Sequence, residues 1–377
     1  MKKYIVVGAG ILGASTAYHL AKAGADVMLV DRFDQGQATE AAAGIVCPWI
    51  SQRRNKAWYR LVKGGAKYYP TLIDQLEEDG EVNTGYRKVG AISLHTDEKK
   101  LEKMIDRALK RREDAPEIGE ITRLSPSETK ALFPPLSEAF SSVHISGAAR
   151  VNGRALRNAL MNAAEKNGAK VCKGDAVLVY EGQRITGIEM NGERYNADQV
   201  MLTTGAWSKE LLEPLGYTYH LSSQRAQIIH LEIPDEDTSN WPVVMPPNNQ
   251  YLLGFDGGRV VVGATHDDDV GFDYRVTAGG IHEILHKAIG VAPGLSESTL
   301  LETKVGFRPF TPGFLPIIGT VPEVEGLLIA NGLGASGLTS GPYLGEQLAK
   351  LALGQAIELD LNDYHVTGAL EKNEGGR

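Results

Sequence analysis

The sequence predicts an α/β chain, α+β overall, in which a Rossmann-like layer of parallel strands is interleaved with a second, mainly antiparallel β-sheet. Three observations carry this. A strand, a glycine turn, a helix and a second strand follow one another within the first 31 residues; strand-length runs alternate with turn clusters from about residue 221 to 303; and a second glycine-rich run opens an apolar helix near the far end of the 377-residue chain.

Tyr4-Ile5-Val6-Val7 has strand length and is closed abruptly by Gly8-Ala9-Gly10-Ile11-Leu12-Gly13. Ile11 to Ala23 carries small and apolar residues at helical spacing and stops at Gly24. Gly8 permits the sharp turn, Gly10 lets the backbone approach a pyrophosphate, and Gly13 with Ala14 and Ala17 lets helix and sheet pack closely. The helix start presents free N–H groups and a partial positive charge to phosphates. After Val27-Met28-Leu29-Val30, Asp31 falls 18 positions past Gly13, where a carboxylate can accept hydrogen bonds from a ribose. A glycine triplet alone is a weak signal; with flanking strands, a helix and a placed acid it predicts a bound dinucleotide.

The chain is long enough for two domains. A net charge of −8 argues against a nucleic-acid backbone or an anionic membrane surface as the main partner and favours a small ligand. Cys47 and Cys172 are far apart, and Met1-Lys2-Lys3 leads directly into a strand without a signal-peptide core, so a reduced, cytoplasmic chain is expected. No apolar stretch reaches the roughly 18 residues of a membrane span, which leaves only peripheral attachment open. Oligomerisation is also open.

The small-residue stretch Gln37 to Ile45, with Thr39, Ala43 and Gly44, can run beneath a flat cofactor or form a plain alanine turn. Cys47 reads as a buried structural thiol, since no cationic neighbour would activate it. Asn55 to Gly80 reads as a helix interrupted at Gly64-Gly65 and Pro70. Val89 to Leu94 reads as a strand, and Asp97 to Arg112 as a helix with Leu101, Met104, Ile105 and Leu109 on its inner face. Arg154 to Asn167 is a helix opened by Asn152 or Gly153, followed by strands from Ala169, Ala176 to Tyr180 and Ile185 to Met190. Asp198 to Leu202 then leads into Thr203-Thr204-Gly205-Ala206-Trp207-Ser208, which places backbone amides at the carboxyl edge of a sheet. Trp207 reads as a lid over the core.

Gln227 to Ile233, Tyr251 to Phe255 and Arg259 to Thr265 predict antiparallel strands. His282-Glu283-Ile284-Leu285-His286 matches the zinc-protease spacing, but Ile281, Ile284, Leu285, Ala288 and Ile289 form a stripe that turns both histidines to the opposite face, and no third ligand accompanies them. No resident metal is expected. Asp267-Asp268-Asp269 reads as a solvated turn. Finally, Gly306-Phe307-Arg308-Pro309 precedes a strand from Gly326 to Ala330 and the run Asn331 to Pro342, with Pro342 placed in the first turn of a helix that continues to Leu353. Under a flavin ring, such a helix start would stabilise the negative charge that gathers on reduction.

These segments resemble the FAD-dependent oxidoreductases of the D-amino-acid oxidase, glycine oxidase and sarcosine oxidase (DAO) family. The resemblance covers nearly the whole chain and rests on Gly8-Gly10-Gly13, Thr39 to Gly44, Thr203 to Ser208, Tyr251 with Val260 to Thr265, Gly306 to Pro309, and Gly332 to Pro342. It implies non-covalent FAD, since no cysteine stands near Val305-Gly306-Phe307, where members with covalent flavin carry one. Implied cofactor contacts are Gly8, Gly10, Ile11, Leu12, Gly13, Asp31, Arg32, Thr39, Ala43, Gly44, Ala176, Val177, Thr204, Gly205, Trp207, Arg308, Gly334, Ala335, Ser336, Gly337, Leu338 and Thr339. Arg308 matches the arginine that binds the substrate carboxylate in glycine and D-amino-acid oxidases, and a planar guanidinium suits that task. Tyr251 matches a substrate-contacting tyrosine.

The implied reaction is oxidation of the C–N bond of glycine, sarcosine or a D-amino acid by hydride transfer to flavin N5, with hydrolysis of the imine to an oxo acid and ammonia or an amine. Orientation, not strong acid–base chemistry, carries such a step. Asp31 replaces the family's commoner glutamate, and Val260-Val261-Val262 stands where sarcosine oxidases have an oxygen-activating lysine, which leaves O2 and a quinone or carrier protein equally open as electron acceptor. The expected FAD domain takes 1–80, 143–215 and 310–377, and the substrate domain takes 81–142 and 216–309. Competing readings are a larger secondary amine such as an N-alkylated or glycated amino acid, a non-catalytic flavin-binding subunit, and a zinc hydrolase.

Overall fold

The computed structural model describes residues 2–373. One layer is a six-stranded sheet in the order Ile317–Thr320, Leu327–Asn331, Gln199–Leu202, Lys3–Val7, Asp26–Asp31, Lys170–Lys173. All neighbours run parallel except the edge strand Ile317–Thr320. Parallel strands covered on both faces read as unbroken apolar runs, and Tyr4 to Val7 are buried throughout. Helix Ile11–Lys22 packs against both Gly153–Lys166 and Gly337–Ala352. Its close approach to the last of these depends on Gly345, where a Cβ would lie 2.7 Å from the Leu12 carbonyl oxygen.

The second layer is an eight-stranded sheet in the order Thr299–Phe310, Ser222–Glu232, Arg259–Gly263, Tyr251–Gly254, Val243–Met245, Ala91–His95, Ser141–Ile145, Ile121–Leu124. It is antiparallel apart from one pairing, Val243–Met245 with Ala91–His95, which joins strands from two distant parts of the chain. Helix Ala278–Val291 lies against it through Ile284, Ala288 and Val291. His282 and His286 stack on the exposed side with ring centroids 5.7 Å apart, and Glu283 pairs with Lys287.

Four local expectations are corrected. Lys56–Glu78 is one uninterrupted helix through Gly64, Gly65 and Pro70. The glycines are packing sites and not breaks, because a Cβ at Gly65 would sit 2.2 Å from the Thr339 carbonyl oxygen and one at Gly64 would meet the Tyr343 ring. Pro342 is not in the first turn of its helix, which starts at Gly337. A proline there cannot donate to the Leu338 carbonyl, and the buried Tyr69 hydroxyl donates to that oxygen instead. Leu109 is exposed and Ala108 takes the buried position with Leu101. Asp267 is not merely solvated: it pairs at 3.1 Å with the buried Arg225 guanidinium, which also holds Asp273 at 2.6 Å.

Candidate active site

A cavity of about 530 Å³ runs from the carboxyl ends of the parallel strands to the antiparallel sheet. Its first wall is the glycine turn. Gly8 has φ +101°, and its N–H donates to the Val30 carbonyl oxygen at 2.8 Å, which fixes the turn between two neighbouring strands. A Cβ on Gly8 or Gly13 would collide with fixed backbone, at 2.6 Å from the Thr203 carbonyl oxygen and 1.8 Å from the Gly8 carbonyl oxygen respectively. Gly10 differs. Its conformation is ordinary extended backbone, and a Cβ there would meet nothing closer than Thr39 Oγ1 at 3.6 Å. Gly10 therefore leaves space on the cavity side that the protein itself does not fill.

Helix Ile11–Lys22 starts at Gly10 without a side-chain cap, so its dipole and most of its first N–H groups face the cavity end; the Ile11 N–H donates to Thr39 Oγ1 at 3.0 Å. Asp31 is anchored: its carboxylate accepts from the Ala9 and Phe33 N–H groups and from Gln37 Nε2 at 2.8 Å. A carboxylate offers about four acceptor positions, so one stays available to a sugar hydroxyl. Arg32 forms ion pairs with Asp34, Asp175 and Glu210 at 2.8, 3.4 and 3.2 Å, so its charge is already met.

The far wall is the late glycine-rich run. Asn331, buried, donates through Nδ2 to the Gly205 carbonyl oxygen at 2.8 Å and to Ser208 Oγ at 2.7 Å, tying together segments that sequence separates by more than a hundred residues. Ser336 caps nothing with its side chain; its Oγ accepts from Trp58 Nε1 at 2.9 Å, and helix Gly337–Ala352 points its uncapped start at the cavity. Thr339 Oγ1 donates to the Ile45 carbonyl oxygen at 2.8 Å, holding the small-residue stretch in place. Gly306 lets that stretch pass, since a Cβ there would lie 2.6 Å from Ala41 Cβ. Such a corridor of glycine, alanine and two helix starts fits a long, anionic, partly planar cofactor.

Arg308 lies on Thr299–Phe310 opposite Gln224, and its Nη1 donates to Gln224 Oε1 at 3.1 Å. Among the described residues no carboxylate pairs with it. Tyr251 stands beside it; burial raises the phenol pKa, and the Arg308 charge opposes that rise. His266 also lines this end, its pKa lowered first by burial and then by Arg308, which keeps it neutral near neutral pH. Trp207 stacks on Phe272 with centroids 5.1 Å apart and lies edge-on to Phe307, as a lid would.

The cavity thus brings together Gly8, Gly10, Ile11, Leu12, Asp31, Arg32, Thr39, Ala43, Gly44, Ala176, Thr204, Gly205, Trp207, Tyr251, Arg308 and Gly334 to Thr339. Two expected positions lie off its surface. Gly13 acts in helix–strand packing, and the Val177 side chain is 61% exposed because the strand Ala176–Glu181 turns it outward. Cys47 is buried as expected, its thiol pushed up to about 12 by burial, yet it also lines the cavity. Sequence reasoning missed Ser51, Arg53, Trp58, Asn249 and His266. The first two stand in an irregular loop with no periodicity to flag them.

The sequence matches the family model "FAD dependent oxidoreductase" over residues 3–351. It is 64% identical to the uncharacterized oxidoreductase YurR of Bacillus subtilis (strain 168), over 98% of this chain and 100% of that one. The fold superposes on the crystal structure of iminodiacetate oxidase (IdaA) from Chelativorans sp. BNC1 with a TM-score of 0.93 and 46% identity, covering 96% of this chain and 98% of the other. Glycine oxidase from Geobacillus kaustophilus superposes with a TM-score of 0.84 and 25% identity over 100% of both chains.

Proposed function

The chain belongs to the DAO family of FAD-dependent oxidoreductases, its FAD non-covalently bound, and on that premise we propose that it oxidises the C–N bond of a small carboxylated amine. Glycine, sarcosine and D-amino acids are the first substrate class. N-substituted glycines are the second, favoured by the likeness to an iminodiacetate oxidase.

The observation that carries the reading is Arg308, a cavity-lining guanidinium whose charge no described carboxylate meets. A substrate carboxylate would complete it by two parallel, charge-assisted hydrogen bonds. Tyr251, held neutral by burial, adds a hydroxyl donor beside it. Gly8, Gly10 and the start of Ile11–Lys22 would hold the pyrophosphate, Asp31 the ribose, and the start of Gly337–Ala352 the charged edge of the flavin. Bound FAD would supply the two-electron acceptor for the hydride leaving substrate Cα, and water would hydrolyse the resulting imine to an oxo acid and ammonia or an amine. The protein's part is orientation: Arg308 and Tyr251 fix the carboxylate end, and the aromatic lid of Trp207, Phe272 and Phe307 limits water.

The test is anaerobic mixing of the yellow protein with glycine, sarcosine, D-alanine and iminodiacetate. Bleaching by a carboxylated amine, with release of the matching oxo acid, is expected; a flavin that stays oxidised with all of them overturns the reading. Readmitting air to the bleached protein decides between O2 and a quinone or carrier as acceptor.

A further inference from the structure

We propose that Arg53 is a second carboxylate-binding site in the same cavity, which selects secondary amines bearing an acidic group on each side of the nitrogen. The inference rests on the proposed amine oxidation for its chemistry, but not for its binding.

Arg53 lines the same cavity as Arg308. Its guanidinium, on an exposed residue, lies over the Trp58 ring at 4.6 Å and near the Phe314 ring at 5.7 Å, contacts that leave its N–H edge unspent. The only hydrogen bond it makes among the described residues is through its backbone N–H, to Ser51 Oγ. Desolvation is the one cause acting on its charge, which is lowered in pKa with no acid to offset it. Trp58 is itself held, by Nε1 on Ser336, so the cation lies close to the uncapped start of helix Gly337–Ala352.

The acids of the cavity lie elsewhere. Asp34, Asp175 and Glu210 surround Arg32, and Asp31 is taken up by the glycine turn. The same cavity is lined by Arg308 with His266 beside it, and by Arg53, and no described lining carboxylate pairs with either guanidinium. Arg308 and Arg53, the latter exposed at the cavity wall, are two guanidinium groups lining one cavity that no described carboxylate meets, in a chain with net charge −8. An amine linking two carboxymethyl groups supplies an anion for each on one small molecule.

Binding is read without turnover by titrating the flavin spectrum of the holoenzyme with oxydiacetate, which has an ether oxygen in place of the amine, and with methoxyacetate, which has one carboxylate. Oxydiacetate is expected to bind about tenfold or more tightly than methoxyacetate, as one extra charge-assisted hydrogen-bonded pair implies. Arg53→Gln is expected to bring that ratio close to one and Arg53→Lys to restore part of it, whereas Arg308→Ala weakens both anions. Equal affinities in the unsubstituted protein, or a preference that survives Arg53→Gln with FAD still bound, overturn the proposal. Amines that fail to bleach the flavin while the oxydiacetate preference holds would refute the reaction and leave the second site standing.

Discussion

Replacing Arg308 by Ala tests the carboxylate anchor most directly. The guanidinium sits on a sheet strand with Gln224 as its hydrogen-bond partner at 3.1 Å, so the backbone that carries it does not depend on the side chain. With no described carboxylate in reach, the proposed substrate anion would be its counter-ion, and truncation would leave that anion desolvated beside Tyr251 alone. Losing one partner of a buried charge pair costs about 2–5 kcal/mol, or roughly 30-fold to several thousand-fold in kcat/KM. Arg308→Lys keeps the charge and loses the fork, so a smaller loss of roughly 10- to 100-fold is expected. The assay is anaerobic stopped-flow reduction by a carboxylated amine, with FAD loading read from the visible spectrum and a carboxylate-free amine as internal control. An unchanged kcat/KM in loaded Arg308→Ala removes the assignment. A loss shared equally by the carboxylate-free amine moves the role of Arg308 to the cofactor.

The two inner glycines of the first turn separate fold from cofactor. Gly13→Ala drives a methyl into the Gly8 carbonyl and Thr203 Oγ1, at 1.8 and 2.4 Å, and is expected to cost about 3 kcal/mol or more, seen as a lower Tm and poor FAD content together. Gly10→Ala has room within the protein and is expected to keep its apo-protein Tm while FAD affinity falls; the reverse pattern would refute the cradle. Asn331→Asp removes the donors to the Gly205 carbonyl and Ser208, and a loss of about 2–4 kcal/mol in the free energy of urea unfolding with weakened FAD binding is expected; full FAD affinity would show that the tie is dispensable. His19 is pulled down to about 3 by burial, with Lys350 and Lys22 adding to it. Below pH 6.5 the unfolded chain therefore takes up a proton that the folded chain refuses, and stability falls from pH 6.5 toward pH 3 but not above 6.5. About 2 kcal/mol of that loss accrues by pH 5. His19→Gln should flatten the slope measured by urea titration at pH 7 and 5, and equal slopes would exclude His19 as its source.

What the sequence disclosed is what local rules govern. The turn at Gly8, Gly10 and Gly13 is legible because each glycine answers a close approach or a positive φ within one strand–turn–helix unit. The Asn152 cap of Gly153–Lys166 is legible for the same reason, and Asp97, read as the first residue of its helix, proves to be the cap of Glu98–Arg112. Tertiary packing overrides such rules elsewhere. Gly64, Gly65 and Pro70 read as breaks, yet the helix runs on because Leu61, Tyr69, Leu72 and Leu76 are buried along it and the helix around Thr339 needs the glycine gap. Pro342 is tolerated inside its helix because the Tyr69 hydroxyl donates to the carbonyl that the proline leaves free. Arg53 and His266 carry no periodic or motif signal, since loops place them and only the closed cavity shows what they face.

The position of the cavity follows from strand order. Lys3–Val7 has Asp26–Asp31 on one side and Gln199–Leu202 on the other, so the chain leaves the central strand in one direction through helix Ile11–Lys22 and reaches its other neighbour only after nearly two hundred residues. A crevice must open where the connections diverge, at the carboxyl ends of those strands. Gly8 and Thr203 meet there, with Thr203 Oγ1 donating to the Val7 and Gly8 carbonyl oxygens at 2.9 and 2.8 Å. Leu327–Asn331 pairs beside Gln199–Leu202 and delivers the second helix start to the same edge. The antiparallel sheet then closes the crevice with Thr299–Phe310, whose register puts Arg308 opposite Gln224 and the Phe307 N–H on the Gly36 carbonyl oxygen at 2.9 Å. A one-residue slip of that strand would send the Arg308 side chain to the other face of the sheet, so the hydrogen bond from Phe307 to Gly36 fixes the register that turns Arg308 into the cavity.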